Sequence, residues 1–143
     1  MALPKKSVTN FFEILKVPVS FNLDKQLLKK NYFYLSKSEK NDHLLNKAFS
    51  ILNDDYLRAL EIYRVKNKRI INENSINSDV FLSECLDIEE AIYNNRENKE
   101  ELNKISDILN KEIELCKDNY TKMEYLNKWS YLRRLKSIID EYM

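Results

Sequence analysis

The chain of 143 residues contains no glycine and only two prolines. At average usage, about ten glycines would be expected in a chain of this length. Glycine supplies the open backbone conformations of the dinucleotide-binding turn, the phosphate-binding loop and the nucleophile elbow, so folds built on those motifs are excluded. The Asn-Gly and Asp-Gly turns of β-hairpins are missing as well. The composition therefore predicts an all-α protein.

Cysteine, histidine and long apolar runs are also scarce. No apolar run approaches the ~20 residues of a membrane span. The first residues, Met1–Lys6, lack the apolar core of a secretory signal, so we expect a chain of a reducing compartment with no membrane partner. Cys85 and Cys116 are then expected to be free, buried thiols at apolar helical positions. With only these two cysteines and one histidine, a four-ligand zinc site would need carboxylates to complete it, and two thiolates fall short of the usual set for a cluster, so no metal site and no cofactor are expected.

Catalytic residues are not evident. The only histidine, His43, lies where a polar loop joins a predicted helix, with no strand end to hold a nucleophile against it, so a solvent-exposed or helix-capping histidine is expected. The adjacent carboxylates Glu89-Glu90 and Glu100-Glu101 point in different directions on a helix. Trp129 and most of the nine tyrosines fall at apolar helical positions, which are more typical of a core than of a cofactor site. The chain is predicted not to be an enzyme.

The net charge of +1 conceals two oppositely charged halves. Residues 1–70 carry fourteen Lys/Arg and seven Asp/Glu, whereas residues 71–143 carry ten and sixteen. This division predicts two lobes with different partners, although two solvated faces would explain the charge equally well. The cations of the basic half are mostly lysines spread over several predicted helices, without a dense arginine stripe, so no nucleic-acid partner is expected.

Hydrophobic periodicity predicts four helices in the first lobe. A short helix capped by Asn10 is followed by a second helix that opens at Asn22 or Asp24. A third helix covers residues 43–52, and the polar Asn53-Asp54-Asp55 caps a fourth. The second and third helices, joined by a polar loop, form an αα-hairpin.

Three long amphipathic helices are predicted in the second lobe. The first follows the cap Ser78, and the others span about 99–118 and 121–142. Helices of this length joined by short polar turns are typical of a bundle. The first of them carries a single apolar stripe formed by Phe81, Leu82, Cys85, Leu86, Ala91, Ile92 and Tyr93.

Four segments have a notable order and spacing. They read N-F-F-E-I-L-K-V-P over 10–18, L-N-K-A-F-S-I-L-N-D then L-R-A-L-E-I-Y over 45–63, F-L-S-E-C-L-D-I-E-E over 81–90, and Y-L-R-R-L over 131–135. They resemble the segments Y-F-x-L-x-G-L-P, I-N-x-A-(Y/W)-x-x-L-x-(D/H)-P-x-x-R-A-x-Y, F-L-M-E-x-L-E-L-R-E and F-L-x-K-L of the HscB-type (Jac-type) J-protein co-chaperones of iron–sulfur cluster assembly. One departure is Lys16, which stands where that family usually has glycine.

The resemblance implies an L-shaped, all-α protein. Residues 1–70 would form a J-domain-like helical hairpin packed with short helices, and residues 71–143 a three-helix bundle that binds the scaffold. Such a co-chaperone binds the iron–sulfur scaffold protein IscU and delivers it to a DnaK-class, HscA-like chaperone. The expected location is the bacterial cytoplasm, with the mitochondrial matrix as the alternative.

The resemblance also implies two sets of binding residues. Matched by position, the chaperone-binding residues are Lys25, Lys29, Lys30, Lys37 and Asp42. The scaffold-binding residues are Leu82, Ser83, Leu86, Asp87, Glu89, Glu90 and Tyr131. Ser83 replaces an apolar residue of the family, and Glu89 replaces a basic one. Packing of Leu82 and Leu86 inside the bundle is an equally good interpretation of the same positions.

The His-Pro-Asp signature of the family is missing. The equivalent positions read Lys40-Asn41-Asp42, in a loop that is shorter than usual. A J-domain without this motif is normally unable to trigger ATP hydrolysis, so we expect no stimulation of the chaperone by this sequence. Two alternatives stay open: a non-catalytic helical adaptor with a degenerate J-domain, or a sequence from which a loop segment has been lost.

Overall fold

The computed structural model describes residues 10–38, 43–67 and 79–143, and these form seven helices and no strand. The all-α prediction is confirmed. The chain divides into two compact units, Met1–Ile70 and Ile71–Met143. Within the described ranges, no helix combines the length and the hydropathy needed to cross a bilayer.

The helices lie close to their predicted positions. Those of the first unit are α1 (Phe11–Ile14), α2 (Lys25–Ser38), α3 (His43–Leu52) and α4 (Asp55–Asn67). Those of the second unit are α5 (Asp79–Asn94), α6 (Lys99–Asp118) and α7 (Met123–Tyr142). The predicted cap Ser78 and the residues Lys40-Asn41-Asp42 lie outside the described residues.

Side-chain caps begin α1 and α2 where the sequence placed them. The side-chain oxygen of Asn10 accepts a hydrogen bond of 2.9 Å from the N–H of Glu13, which caps α1. The choice left open for α2 falls on Asp24, whose carboxylate accepts from the N–H groups of Gln26 and Leu27 at 3.0 and 3.2 Å. Each cap satisfies backbone donors that have no partner inside the helix.

Helix α3 is at the centre of the first unit and packs against α1, α2 and α4. Its buried positions recur at the spacing of three and four residues that one helix face requires. His43, its first residue, is exposed as expected. The apolar core of this unit consists of Phe12, Leu15, Val17, Leu28, Leu45, Ala48, Leu52, Tyr56, Ala59 and Ile62.

Helix α7 packs against both α5 and α6 in the second unit. The core between them is formed by Cys85, Ile92, Leu102, Leu109, Cys116, Leu126, Trp129, Leu132, Leu135 and Ile139. Both cysteines are free and buried, and Trp129 is buried, as predicted. The prediction for the tyrosines is wrong for most of them, because only Tyr56 is buried. The phenolic hydroxyl favours a position with its apolar ring packed and its polar end in water.

Candidate functional site

The lysines predicted on α2 occupy different environments. The ammonium of Lys25 donates a hydrogen bond of 3.2 Å to the carbonyl oxygen of Asn53, just after α3, so this residue ties two elements together. Like Lys25, the residues Lys29, Lys30 and Lys37 are exposed. We call these three residues the lysine face. Asp42, the fifth predicted chaperone-binding residue, lies outside the described residues.

The opposite side of α2 is held against α3. The rings of Tyr32 and Phe49 are stacked with 4.3 Å between their centroids. The hydroxyl of Tyr32 donates a hydrogen bond of 2.7 Å to the side-chain oxygen of Asn46. Leu28 is completely buried one turn earlier. These contacts determine the rotation of α2 about its axis, and they leave the lysine face pointing to solvent.

The interpretation left open for Leu82 and Leu86 is decided by their exposure. Leu82 is 41% exposed and Leu86 is 54% exposed, whereas Cys85 between them is only 6% exposed. Successive residues of a helix are rotated by about 100°, so the two leucines share one side of α5 while Cys85 points into the bundle. The single apolar stripe expected on α5 is therefore two neighbouring stripes, and only the one that contains Cys85 belongs to the core. We call Leu82 and Leu86 the leucine patch.

Carboxylates surround the leucine patch. Asp87 and Glu90 are exposed, as is Ser83. Glu89 is half-buried and accepts a hydrogen bond of 2.9 Å from the guanidinium of Arg134 on α7. This ion pair joins α5 to α7 at the edge of the patch, and an exposed pair of this kind contributes little to stability. Glu89 is thus partly neutralised, while Asp87 and Glu90 keep the surroundings of the patch acidic.

The aromatic residue predicted for this surface, Tyr131, lies on α7 and is half-buried. It precedes Arg134 by three residues, so the two side chains lie on the same side of α7. Since Arg134 reaches Glu89 on α5, that side of α7 faces the helix that carries the leucine patch. The structure therefore brings the predicted scaffold-binding residues of α5 and α7 to neighbouring positions.

Tyr93 is a residue of this surface that the sequence analysis assigned to the core. It is 55% exposed and lies eleven residues, or about three helical turns, after Leu82 on the same side of α5. The guanidinium of Arg96 lies 4.0 Å from the centre of its ring. A signal was available in the sequence, because residues 82, 86 and 93 have the same spacing as residues 81, 85 and 92 and are offset from them by one residue, or about 100° around the helix.

A cleft of about 310 Å³ is lined by residues of α5, α6 and α7. Its polar residues include Lys128, whose ammonium is 2.6 Å from the carboxylate of Glu112 and 5.4 Å from the centre of the Phe81 ring. Burial raises the pKa of the Cys85 thiol beside it, and Glu84 raises it further. Burial also raises the pKa of Cys116 to about 11. Thiols with raised pKa values stay protonated at neutral pH and are poor nucleophiles.

Taken together, the described residues offer two exposed surfaces of opposite charge, each backed by a packed core. The lysine face lies on the first unit, and the leucine patch with its carboxylates lies on the second. Exposed apolar side chains among charged ones are typical of protein interfaces. The arrangement suits protein binding by two separate partners.

Comparison with known proteins identifies relatives of this chain. No protein-family model matches it. The co-chaperone protein HscB of Buchnera aphidicola subsp. Acyrthosiphon pisum, in strains Tuc7, 5A and APS, is 28% identical over an alignment of length 157. The alignment covers 92% of this chain and 86% of the relative. The aligned span exceeds the 143 residues of this chain, so the relative has residues at some positions where this chain has none.

The fold has a counterpart of known structure. The crystal structure of human co-chaperone protein HscB superposes with a TM-score of 0.76 and 17% identity, over 95% of this chain and 83% of the human chain. At this identity the likeness concerns the helical fold alone. Together with the curated relatives, it confirms the resemblance to the HscB-type co-chaperones.

Proposed function

Because this chain is related to the HscB-type co-chaperones, we propose that it binds an iron–sulfur scaffold protein of the IscU type and delivers it to a DnaK-class, HscA-like chaperone. In this role it assists iron–sulfur cluster assembly or transfer. The observation that carries the proposal is the exposure of Leu82 and Leu86 beside the buried Cys85. The two leucines are exposed and so contribute little to the core, and exposed apolar side chains of this kind fit a partner surface.

The scaffold-binding surface combines apolar contact with negative charge. The leucine patch supplies the apolar area, and Tyr131 and Tyr93 extend it along α7 and α5. Asp87 and Glu90 supply charge at the rim, where it mainly selects and orients the partner. A scaffold suited to this surface has an exposed apolar contact flanked by lysine or arginine. The cluster is cargo carried by the scaffold in this proposal, and no residue of this chain is assigned as its ligand.

The chaperone-binding surface is assigned to α2. The lysine face is exposed, and three positive charges along one helix attract an acidic partner surface. Lys25 is placed at the margin of this surface, since its ammonium is engaged by the carbonyl of Asn53. In this proposal the chain acts as a co-chaperone and not as an enzyme, because the ATPase activity resides in the chaperone. A bacterial cytoplasm is the proposed location, in line with its bacterial relatives.

The experiment that tests the proposal is calorimetric titration of the purified protein with the IscU-type scaffold of its own organism. We expect saturable binding, and we expect Leu82→Ala with Leu86→Ala to weaken it by more than about tenfold, since truncation of two interface leucines commonly costs over 1.4 kcal/mol. The matched control is Leu115→Ala on α6, which removes an equally exposed leucine (45%) outside the patch. Absence of binding by the unmodified protein, or equal affinity of the double variant, would refute the proposal.

The second candidate is a non-catalytic adaptor that binds the scaffold without driving the chaperone cycle. It is favoured by the sequence Lys40-Asn41-Asp42 in place of His-Pro-Asp. Sequencing of the genomic coding region separates the two, because it shows whether a His-Pro-Asp motif follows Leu35. If the motif is absent there, scaffold binding with no chaperone stimulation is the outcome that identifies an adaptor.

A further inference from the structure

Two aromatic side chains of α2 are exposed to a degree that the fold does not explain. Phe33 is 62% exposed and Tyr34 is 74% exposed, more than any other large apolar side chain of the described residues. The neighbouring Tyr32 is stacked on Phe49 and anchors the helix to α3. The fold therefore uses the adjacent aromatic and leaves Phe33 and Tyr34 in water.

The two rings lie within the lysine face. Phe33 is four residues after Lys29 and four before Lys37, so these three side chains form one row along the helix. Tyr34 is four residues after Lys30 and forms a second row beside the first. The ammonium of Lys37 lies 4.9 Å from the centre of the Phe33 ring. This cation–π contact holds the lysine over one face of the ring and leaves most of the ring accessible.

We propose that Phe33 and Tyr34 anchor the contact of this chain with its chaperone, and that the partner offers an apolar recess bordered by carboxylates. The inference rests on the proposed function, in which α2 carries the chaperone-binding surface. It adds that apolar insertion, and not charge pairing alone, holds the complex together. Aromatic side chains at the centre of an interface commonly carry much of the binding energy, whereas charges at the rim carry little.

The two kinds of side chain have separable kinetic roles. Lysines act at long range, so they raise the association rate and make it sensitive to salt. Aromatic rings act only after contact, so they lower the dissociation rate.

Single-stranded RNA is another anionic partner that stacks on exposed aromatic rings. The number and type of cations on the lysine face favour a protein partner. The face has three lysines and no arginine, whereas recognition of a nucleic-acid backbone generally uses a denser array of cations. RNA binding is therefore included as an outcome of the test and not as the proposal.

The experiment measures association and dissociation rates between this protein and the immobilised DnaK-class chaperone of the same organism, at low and high salt. For Phe33→Ala with Tyr34→Ala, we expect dissociation to be at least about tenfold faster and association to change less than about threefold. For Lys29→Ala with Lys37→Ala, we expect slower association at low salt and convergence with the unmodified protein at high salt. The controls are Leu115→Ala and Lys111→Ala on α6, which remove an exposed apolar side chain and an exposed charge elsewhere.

The outcomes separate this inference from the proposed function. Failure of the unmodified protein to bind the chaperone counts against the proposed function itself. Binding by the unmodified protein with an unchanged dissociation rate in the aromatic double variant overturns the inference and leaves the proposed function standing. Phe33→Leu with Tyr34→Leu keeps apolar area and should recover part of the loss. Tight binding of oligouridine that disappears in the aromatic variant, with chaperone binding unaffected, assigns the rings to RNA and also overturns the inference.

Discussion

The side-chain amide of Asn31 on α2 donates a hydrogen bond of 3.1 Å to the carbonyl oxygen of Lys16, a lysine whose φ angle is +56°. The same amide donates to the carbonyl oxygen of Leu15 at 2.9 Å. The N–H groups of Lys16 and Val17 donate backward to the last turn of α1, which is the hydrogen-bonding pattern that glycine usually completes at a helix end. In a chain without glycine, a lysine takes this left-handed position and Asn31 secures it from α2.

Lys16→Gly should raise the free energy of unfolding. A residue with a Cβ atom is destabilised by about 1 kcal/mol in the left-handed region, and glycine removes that penalty. Glycine also increases the entropy of the unfolded chain, which offsets part of the gain. We expect a net gain of about 0.5–1 kcal/mol, measured by urea unfolding. The same substitution at Lys30, in the middle of α2, should lower the free energy of unfolding by about 1 kcal/mol. Equal effects at the two positions would contradict the assigned backbone conformation.

Arg58→Ala should be among the most damaging substitutions in the first unit. Arg58 is 4% exposed, and its guanidinium donates to the carbonyl oxygens of Phe21 and Leu52 at 2.9 and 2.8 Å, and to Asp55 at 2.7 Å. Its removal leaves buried acceptors unsatisfied and opens a cavity. We expect a loss of about 3 kcal/mol in the free energy of unfolding.

The control for Arg58 is Arg96→Ala. Arg96 also donates to a backbone carbonyl oxygen, that of Tyr93, but it is exposed and water can take its place. The expected loss is within about 0.5 kcal/mol. Thermal unfolding followed by circular dichroism measures both variants, and a loss at Arg58 no greater than at Arg96 would contradict the buried network.

Stability should decrease between about pH 9 and 11. The Cys116 thiol has an ordinary pKa of 9.0, and burial raises it to about 11 in the folded chain. In this window the unfolded thiol has lost its proton and the folded thiol has kept it, so the unfolded state binds fewer protons and is favoured as pH rises. Urea unfolding at several pH values measures this slope. Cys116→Ala should reduce the slope, and parallel curves for the two proteins would refute the prediction.

Alkylation should report the same burial at lower pH. Cys85 and Cys116 are buried, and burial raises both pKa values, so few thiolates are available at pH 8. We expect iodoacetamide to modify neither thiol rapidly in the folded protein and both in urea. Mass spectrometry distinguishes zero, one and two adducts. Fast modification of the folded protein would show that the packing of α5 or α6 against α7 opens readily.

Steady-state ATPase assays should show no scaffold-enhanced stimulation of the chaperone. The positions equivalent to His-Pro-Asp read Lys40-Asn41-Asp42, and neither the imidazole nor the proline of that motif is present. A J-protein that retains His-Pro-Asp provides the positive control in the same assay. A robust increase in turnover by this chain would show that another part of the sequence performs the role of the motif.

Local structure could be read from the sequence with good accuracy. Asn10 and Asp24 were recognisable as caps because short polar side chains bond to nearby backbone N–H groups. The bounds of α3 and α6 followed from hydrophobic spacing. The rotation of α5 could not be read in this way, since Phe81, Leu82, Cys85 and Leu86 form two apolar stripes and either could face the core.

The sequence by itself determined the all-α fold, the helix bounds, the two oppositely charged halves and the resemblance to the HscB-type co-chaperones, because all of these depend on local pattern and order. Only the tertiary structure decided which apolar residues are surface. Packing of α5 on α7 buries Cys85 and Ile92 and leaves the leucine patch in water. The anchoring of Tyr32 on Phe49 likewise leaves Phe33 and Tyr34 exposed. Burial depends on which neighbour a helix face meets, and no single helix contains that information.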